Sequence, residues 1–318
     1  MRWFLLAALS CAQPVSSSAG VSGQNYPDQR RRVRHIIPWG AGGATDTAMR
    51  GFMQYFEKHL GIPIVTENIP GGLSAVGLIR LKTARPDGYT IGTLTYDVLT
   101  LSVQGFAPVG WEDFDLVGTV TEHPSALIVV ADTFDSLEAF QAAARSQRIK
   151  VGNVGAGGIW HQHASAMERA LGISLAHIPY EACSGAQLVA LLGGEVDANV
   201  ASLPASLPYV RDGTLRVLAV MAGERDPLVP DVPTFVEKGY DIAYSGFRVL
   251  ATPAGTPEAI RSELERALRA ASQDDAFRAW ADRAVIGAHF KDGAATKAYL
   301  EATATKVEKL MEALELIP

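Results

Sequence analysis

The chain has 318 residues, a formal net charge of −6, and 48% hydrophobic against 19% charged residues. That is about twice the usual single-domain length, which gives room for two lobes with sizeable cores. The acidic balance argues against a nucleic-acid partner, because phosphate backbones need a basic face. A small anion stays compatible, since it responds to local donors more than to global charge.

At the N-terminus Arg2 precedes the apolar run Trp3-Phe4-Leu5-Leu6-Ala7-Ala8-Leu9, and Ser17-Ser18-Ala19 offers a small-residue cleavage site. That order predicts a secretory signal over residues 1–19 and an extracytoplasmic, periplasmic mature protein. Leu9-Ser10-Cys11 also suggests lipid anchoring at Cys11, although Ala8 stands where a leucine is expected. No later segment reaches the roughly 20 apolar residues needed to span a bilayer. Cys11 and Cys183 are the two cysteines, and neither has a zinc-site spacing. Cys183 reads as a small apolar residue near a loop rather than a nucleophile.

From Tyr26 onward strand-like and helix-like segments alternate, which predicts an α/β architecture with largely parallel sheets. Val33–Ile37 is the first buried strand. It leads through Pro38-Trp39-Gly40-Ala41-Gly42-Gly43 into a helix with Met49, Phe52, Met53, Phe56 and Leu60 on one face. Gly61 and Pro63 stop that helix. Strands follow at Ile62–Glu67 and Thr90–Thr95, with turns at Pro70-Gly71-Gly72 and Arg85–Tyr89. The logic restarts at Ile149–Gly152, a strand before the loop Asn153-Val154-Gly155-Ala156-Gly157-Gly158. The next helix turns Trp160, Ala164, Met167 and Leu171 inward. Further strands are expected at Ala176–Tyr180, Val196–Val200 and Leu215–Val220. After Pro233 the chain should be mainly helical, with Thr256-Pro257-Glu258 as a helix start. Crossovers near Ser125–Val130 and Met221–Pro233 put residues 26–124 and 233–318 in one lobe and 125–232 in the other.

The two glycine loops carry the functional signal. Ahead of a helix, such glycines let main-chain amides face a ligand, with the helix N-terminus adding positive potential. They also suit a plain tight turn. Thr45 or Asp46 could cap the first helix. Gly40-x-Gly42-x-x-Thr45 with Glu67 after the next strand could instead serve a nucleotide-dependent oxidoreductase. Against that, Pro38-Trp39 crowds the entry, Thr45 replaces the close-packing glycine, and Asp46 would face pyrophosphate. The second loop lacks the Lys-Ser/Thr ending of a phosphate loop. His161-x-His163 does not share a helix face, which disfavours a metal. No Gly-x-Ser-x-Gly elbow starts a hydrolase triad. No catalytic residue and no cofactor is assigned.

Ile36–Asp46 followed by Met49-Arg50 resembles the opening of the Bug/TctC family, the solute receptors of tripartite tricarboxylate transporters. Val65-Thr66-Glu67-Asn68-Ile69-Pro70-Gly71-Gly72 and Arg85-Pro86-Asp87-Gly88-Tyr89-Thr90 are similar to further family segments. The resemblance continues through Pro179-Tyr180, Leu192–Asp197, Leu215–Val220, Pro230–Phe235 and Pro253–Pro257. It implies a two-lobed periplasmic-binding-protein fold, type II-like, with a ligand cleft between the lobes. It also implies a non-enzyme that captures a small carboxylate, largely on main-chain amides and waters without a cationic anchor, and delivers it to membrane permease subunits. A ligand sensor docking a signalling partner is the other receptor-type role. By motif match the pocket would comprise Trp39, Gly40, Ala41, Gly42, Gly43, Thr45 and Asp46 from the first loop. Asn153, Gly155, Ala156, Gly157, Gly158 and His161 would come from the second, with Tyr180 alongside and Asp197 on the floor. Asn153, Gly158 and Trp160 stand where many members have small hydroxyl residues, and Glu181-Ala182 replaces a common basic-Gly pair; these departures bear on the ligand, not the fold.

Overall fold

The structure, a computed structural model, describes residues 26–155, 157–180 and 184–317. The proposed signal segment, Cys11, Ala156, Glu181, Ala182 and Cys183 lie outside the described residues. In chain order the first part comprises β1 (Val33–Ile37), α1 (Ala44–Leu60), β2 (Ile64–Asn68), α2 (Ala75–Lys82), β3 (Thr90–Leu94) and β4 (Phe114–Val130). The middle comprises α3 (Leu137–Ser146), β5 (Ile149–Asn153), α4 (Ile159–Leu171), β6 (Leu175–Pro179), α5 (Ser184–Leu192), β7 (Ala198–Ser202), α6 (Leu207–Arg211) and β8 (Leu215–Val220). The chain then closes with β9 (Ser245–Pro253), α7 (Glu258–Gln273), α8 (Asp275–Arg283), β10 (Ala288–Asp292) and α9 (Gly293–Ala313).

Two sheets of the same plan result. In lobe 1 the order is β2-β1-β3-β9-β4, with β1 parallel to β2 and β3, and β9 antiparallel to β3 and β4. In lobe 2 β5 is parallel to β6 and β7, while the second half of β4 runs antiparallel to β7 and β8. β4 therefore belongs to both lobes: residues 114–124 pair with β9, and 125–130 pair with β7 and β8.

Each sheet is covered on both faces, as parallel strands require. Alternation along β9 shows this: Phe247, Val249 and Ala251 join one lobe 1 core, and Leu250 joins the other. α1 places Met49, Phe52, Met53, Phe56 and Leu60 against Ile260, Leu264, Leu268 and Phe277. The Phe52 and Phe277 rings meet edge-on at 5.1 Å. Burying each such side chain contributes about 1.5–3 kcal/mol, which is what keeps this face of the helix fixed.

Three expectations are corrected. The stretch after Pro233 is not simply helical, because β9 is a central strand of lobe 1. Its Phe-Arg-Val-Leu-Ala-Thr run is enclosed on both faces, so it lacks the period-two polar pattern of a half-exposed strand. The return to lobe 1 falls at Ser245, not at 233. Phe235 and Ile242 lie in the lobe 2 core, and Ser125 N donates to Tyr244 O at 2.9 Å. Thr256 does not cap α7, since its hydroxyl donates to Pro253 O at 2.7 Å and Pro257 occupies the cap position.

Candidate functional site

Both glycine loops leave the carboxyl ends of parallel strands, where α/β sheets place their ligands. The first joins β1 to α1. Gly40, Ala41 and Gly42 are exposed, and a Cβ on Gly40 or Gly42 would meet nothing within 4 Å. Gly43 is the cap residue of α1, and no side chain caps that helix. Its first-turn amides are the orphan donors that every helix start carries. Asp46 does not supply the cap. It is buried, and its carboxylate accepts from Gly42 N at 2.9 Å, Arg50 Nη2 at 2.7 Å and Asn68 Nδ2 at 2.9 Å. Burial pushes its pKa up, but the bonds to Arg50, Gly42 and Asn68 outweigh this and hold it below the ordinary value. Asp46 is thus a brace that shapes the loop. Trp39 is fixed from two sides, donating from Nε1 to Thr95 Oγ1 at 3.0 Å and accepting at its carbonyl from Asn68 at 2.9 Å.

The second loop joins β5 to α4, and again no side chain caps the helix. Asn153 is buried and bonds His177 Nδ1 at 2.9 Å, while His177 Nε2 lies 2.9 Å from Glu168 Oε2. Gly157 is the pin of this loop. Its amide donates to His161 Nδ1 at 3.2 Å, and its carbonyl accepts from Gln162 Nε2 at 2.6 Å and Gln104 Nε2 at 3.2 Å. Its φ of +79° suits glycine, so the residue earns its place by conformation, and its amide is already engaged. Gly158 N closes the turn onto Gly155 O at 3.0 Å. His161 is half-buried; burial lowers its pKa, nearby His177 lowers it further, and Glu168 opposes both. Tyr180 flanks the loop, its amide donating to Asn153 O at 2.7 Å.

Asp197 is not on the floor of these loops. Its carboxylate accepts from Lys150 N at 2.8 Å, and its own amide donates to Lys150 O at 2.9 Å. β5 and β7 are parallel, so this clasp lies at the strand-start end, away from the loop after Asn153. Glu67 is likewise taken, by an ion pair with Arg34, rather than standing free for a ribose.

Residues after β3 tie the two loops together. Thr95, which holds Trp39, donates to Asp97, and the neighbouring Tyr96 hydroxyl donates to Gln162 Oε1 at 3.0 Å. The start of β9 touches side chains from the first turns of both α1 and α4. Arg248 Nε donates to Thr45 Oγ1 in the first turn of α1 at 3.3 Å. A Cβ on Gly246, two residues earlier on the same face, would touch Ile159 and Trp160 of α4 at 3.4 Å. Cavities of about 470 and 540 Å³ open elsewhere, one lined by Arg31, Arg80 and Arg85 and one by Arg169, Tyr244 and Lys306, and neither touches the glycine loops.

The profile of the tripartite tricarboxylate transporter family receptor, TctC, matches residues 49–316. The chain belongs to that receptor family. It is 32% identical to Protein BugT of Bordetella pertussis over 269 residues, covering 81% of each chain. A TctC solute binding protein from Polaromonas, solved with no ligand, superposes with a TM-score of 0.79 at 31% identity, covering 91% of this chain and 100% of that one. MatC from Rhodopseudomonas palustris, solved with bound malate, gives 0.75 at 26% identity, covering 88% and 98%. The protein is thus a TctC-family solute-binding receptor with the two-lobed α/β fold of periplasmic binding proteins.

Sequence reasoning missed four residues of this receptor's site region. Gln104 and Gln162 hold the second loop, and single glutamines carry no motif. Asp97 is buried, and desolvation raises its carboxyl pKa to about 6 against the bonds it accepts. Arg248, which burial pulls down to about 10, forms no ion pair with any described residue. An arginine inside an unrecognised strand gave no signal at all.

Proposed function

We propose that this receptor is non-catalytic and holds a small carboxylate between its lobes, for delivery to the permease of a tripartite transporter. The observation that carries the reading is the pair of glycine loops at the carboxyl ends of parallel strands, each opening a helix without a side-chain cap. Oriented amides of this kind suit an anion. Micromolar binding requires about 8 kcal/mol. A few charge-assisted bonds of roughly 1.5–3 kcal/mol each supply that scale of attraction against ordering costs. The malate-bound relative supports the same ligand class. Native mass spectrometry of freshly purified protein, with calorimetric titration of malate and adipate, tests it. Retention of a dinucleotide in place of any small acid would overturn it in favour of an oxidoreductase.

The order of residues 1–19 supports export, with the mature chain beginning after Ala19. Sequencing the N-terminus of protein from its native cell decides this; an intact Met1 would refute it.

A further inference from the structure

Among the described residues Arg248 is a cation whose surroundings do not account for it. It sits on β9 opposite Thr121, enclosed by its neighbours with part of its surface still open. Its guanidinium donates to two neutral oxygens, Thr45 Oγ1 at 3.3 Å and Thr121 Oγ1 at 3.1 Å. Among the described residues no carboxylate pairs with it, and Glu122, the nearest acid along β4, is engaged by Lys291 and Ser245. A guanidinium offers five N–H donors in a planar fork, so donors remain beyond the two in use. Nearby His123 adds no competing positive charge, since burial, with the Arg248 charge beside it, holds its ring neutral and lowers its pKa to about 3.

A cation withdrawn from water without a counter-ion is costly, and proteins normally pair it. Beside Arg248 lies the first turn of α1, to which Thr45 belongs and where the Asp46 carboxylate is already held by Gly42, Arg50 and Asn68. Arg248 itself keeps guanidinium donors that neither Thr45 nor Thr121 takes up. Thr45 belongs to the first turn of α1, and two residues before Arg248 on β9 the side-chain tips of Ile159 and Trp160 lie against Gly246. A carboxylate of a ligand held at the first loop can therefore meet Arg248 beside Thr45.

Building on the receptor reading, we propose that Arg248, with Thr45 beside it, directly anchors one carboxylate of the ligand. This replaces the expectation of a pocket without a cationic anchor. A purely structural Arg248 would be there to join Thr45 to Thr121. An anchor instead lowers the stability of the empty protein and repays it on binding.

The test uses the whole mature receptor and its Arg248→Met and Arg248→Lys variants. Malate, succinate and adipate, with butyrate as a monocarboxylate control, are titrated calorimetrically, and ligand-free melting temperatures are recorded. Arg248→Met is expected to melt at or above the parent and to lose roughly 10- to 150-fold in dicarboxylate affinity. Arg248→Lys should recover part of that loss, since it keeps the charge but not the fork. Dicarboxylate binding by Arg248→Met within about threefold of the parent would leave the receptor reading standing and overturn the anchor. Ligand-free melting lowered by more than about 5 °C would mark a structural role and overturn it too. Failure of the parent to bind any of the acids would bring down the receptor reading and the anchor together.

Discussion

His163 makes the stability of this receptor depend on pH, and replacing it by asparagine isolates the effect. The ring is fully buried where the lobes meet. Its Nδ1 lies 2.7 Å from Ser125 Oγ on the crossing strand, Tyr244 stacks on it at 5.0 Å, and Tyr96 of lobe 1 meets it edge-on at 4.9 Å. Nε2 has no hydrogen-bond partner. A protonated ring would therefore hold one satisfied N–H and one orphan, in a site that water does not reach. Burial accordingly lowers its pKa from 6.5 to about 3. The unfolded chain binds a proton near pH 6.5 and the folded chain does not, so the contribution is complete above 6.5 and is lost as pH falls toward 3. At pH 4.5, two units below the unfolded value, the loss is about 3 kcal/mol at 1.36 kcal/mol per unit. His163→Asn removes the titration and keeps a polar atom near the Nδ1 position, at the cost of a constant cavity term. Urea unfolding of both proteins from pH 8 to 4.5 should show their stability difference shifting by about 3 kcal/mol in favour of the variant. His35 and His123, also buried with pKa values lowered to about 3, are common to both proteins and cancel in the comparison. Parallel stability curves across that range would refute the reasoning, as would a folded-state imidazole titration near 6.5 by NMR.

Asp97 works in the opposite direction. Its folded pKa is raised from 3.8 to about 6, so its favourable contribution is complete below 3.8 and lost as pH rises through 6. Asp97→Asn should therefore be more stable than the parent by up to about 3 kcal/mol at pH 7.5, with the gain vanishing near pH 4 in the same urea series. Gly157→Val combines a positive φ with a Cβ only 2.8 Å from Gln104 Nε2. It should cost about 1–3 kcal/mol of stability, and adding Gln104→Ala should relieve the contact but not the φ strain. Full recovery of the melting temperature in that double variant would show that φ strain contributes nothing.

Much of the architecture was legible because it rests on local patterns. The apolar stripe from Met49 to Leu60 with Gly61 behind it predicts α1 to the residue at its carboxyl end, and Gly61 does close it in the left-handed conformation. Trp160, Ala164, Met167 and Leu171 mark the buried face of α4 just as directly. What failed was the long-range part. β9 is recognisable by its neighbours in space, β3 and β4, and nothing within its own nine residues announces them. With β9 missing, Phe235 and Ile242 looked free to belong to lobe 1, although they complete the core of lobe 2.

The site divides along the same line, and the division has a physical basis. Main-chain donors need glycines next to a helix start, so the loops at Gly40–Gly43 and Gly155–Gly158 stand out in one dimension. Side-chain roles depend on pairing, which a sequence does not record. Asp46 looked like a cap or a ligand contact until Arg50, Asn68 and Gly42 were found on its carboxylate. Asp197 looked like a pocket floor until Lys150 was found closing it at the far end of the strand. Arg248 is the inverse case: the carboxylates of Asp46 and Asp197 are engaged within the fold, whereas the proposal for Arg248 rests on two neutral partners and no carboxylate among the described residues. An enclosed charge that its own fold leaves unbalanced is most economically balanced from outside. Main-chain amides recognise a carboxylate with little regard to what carries it, and under the proposal the planar fork of Arg248 would add the geometric selectivity that amides lack.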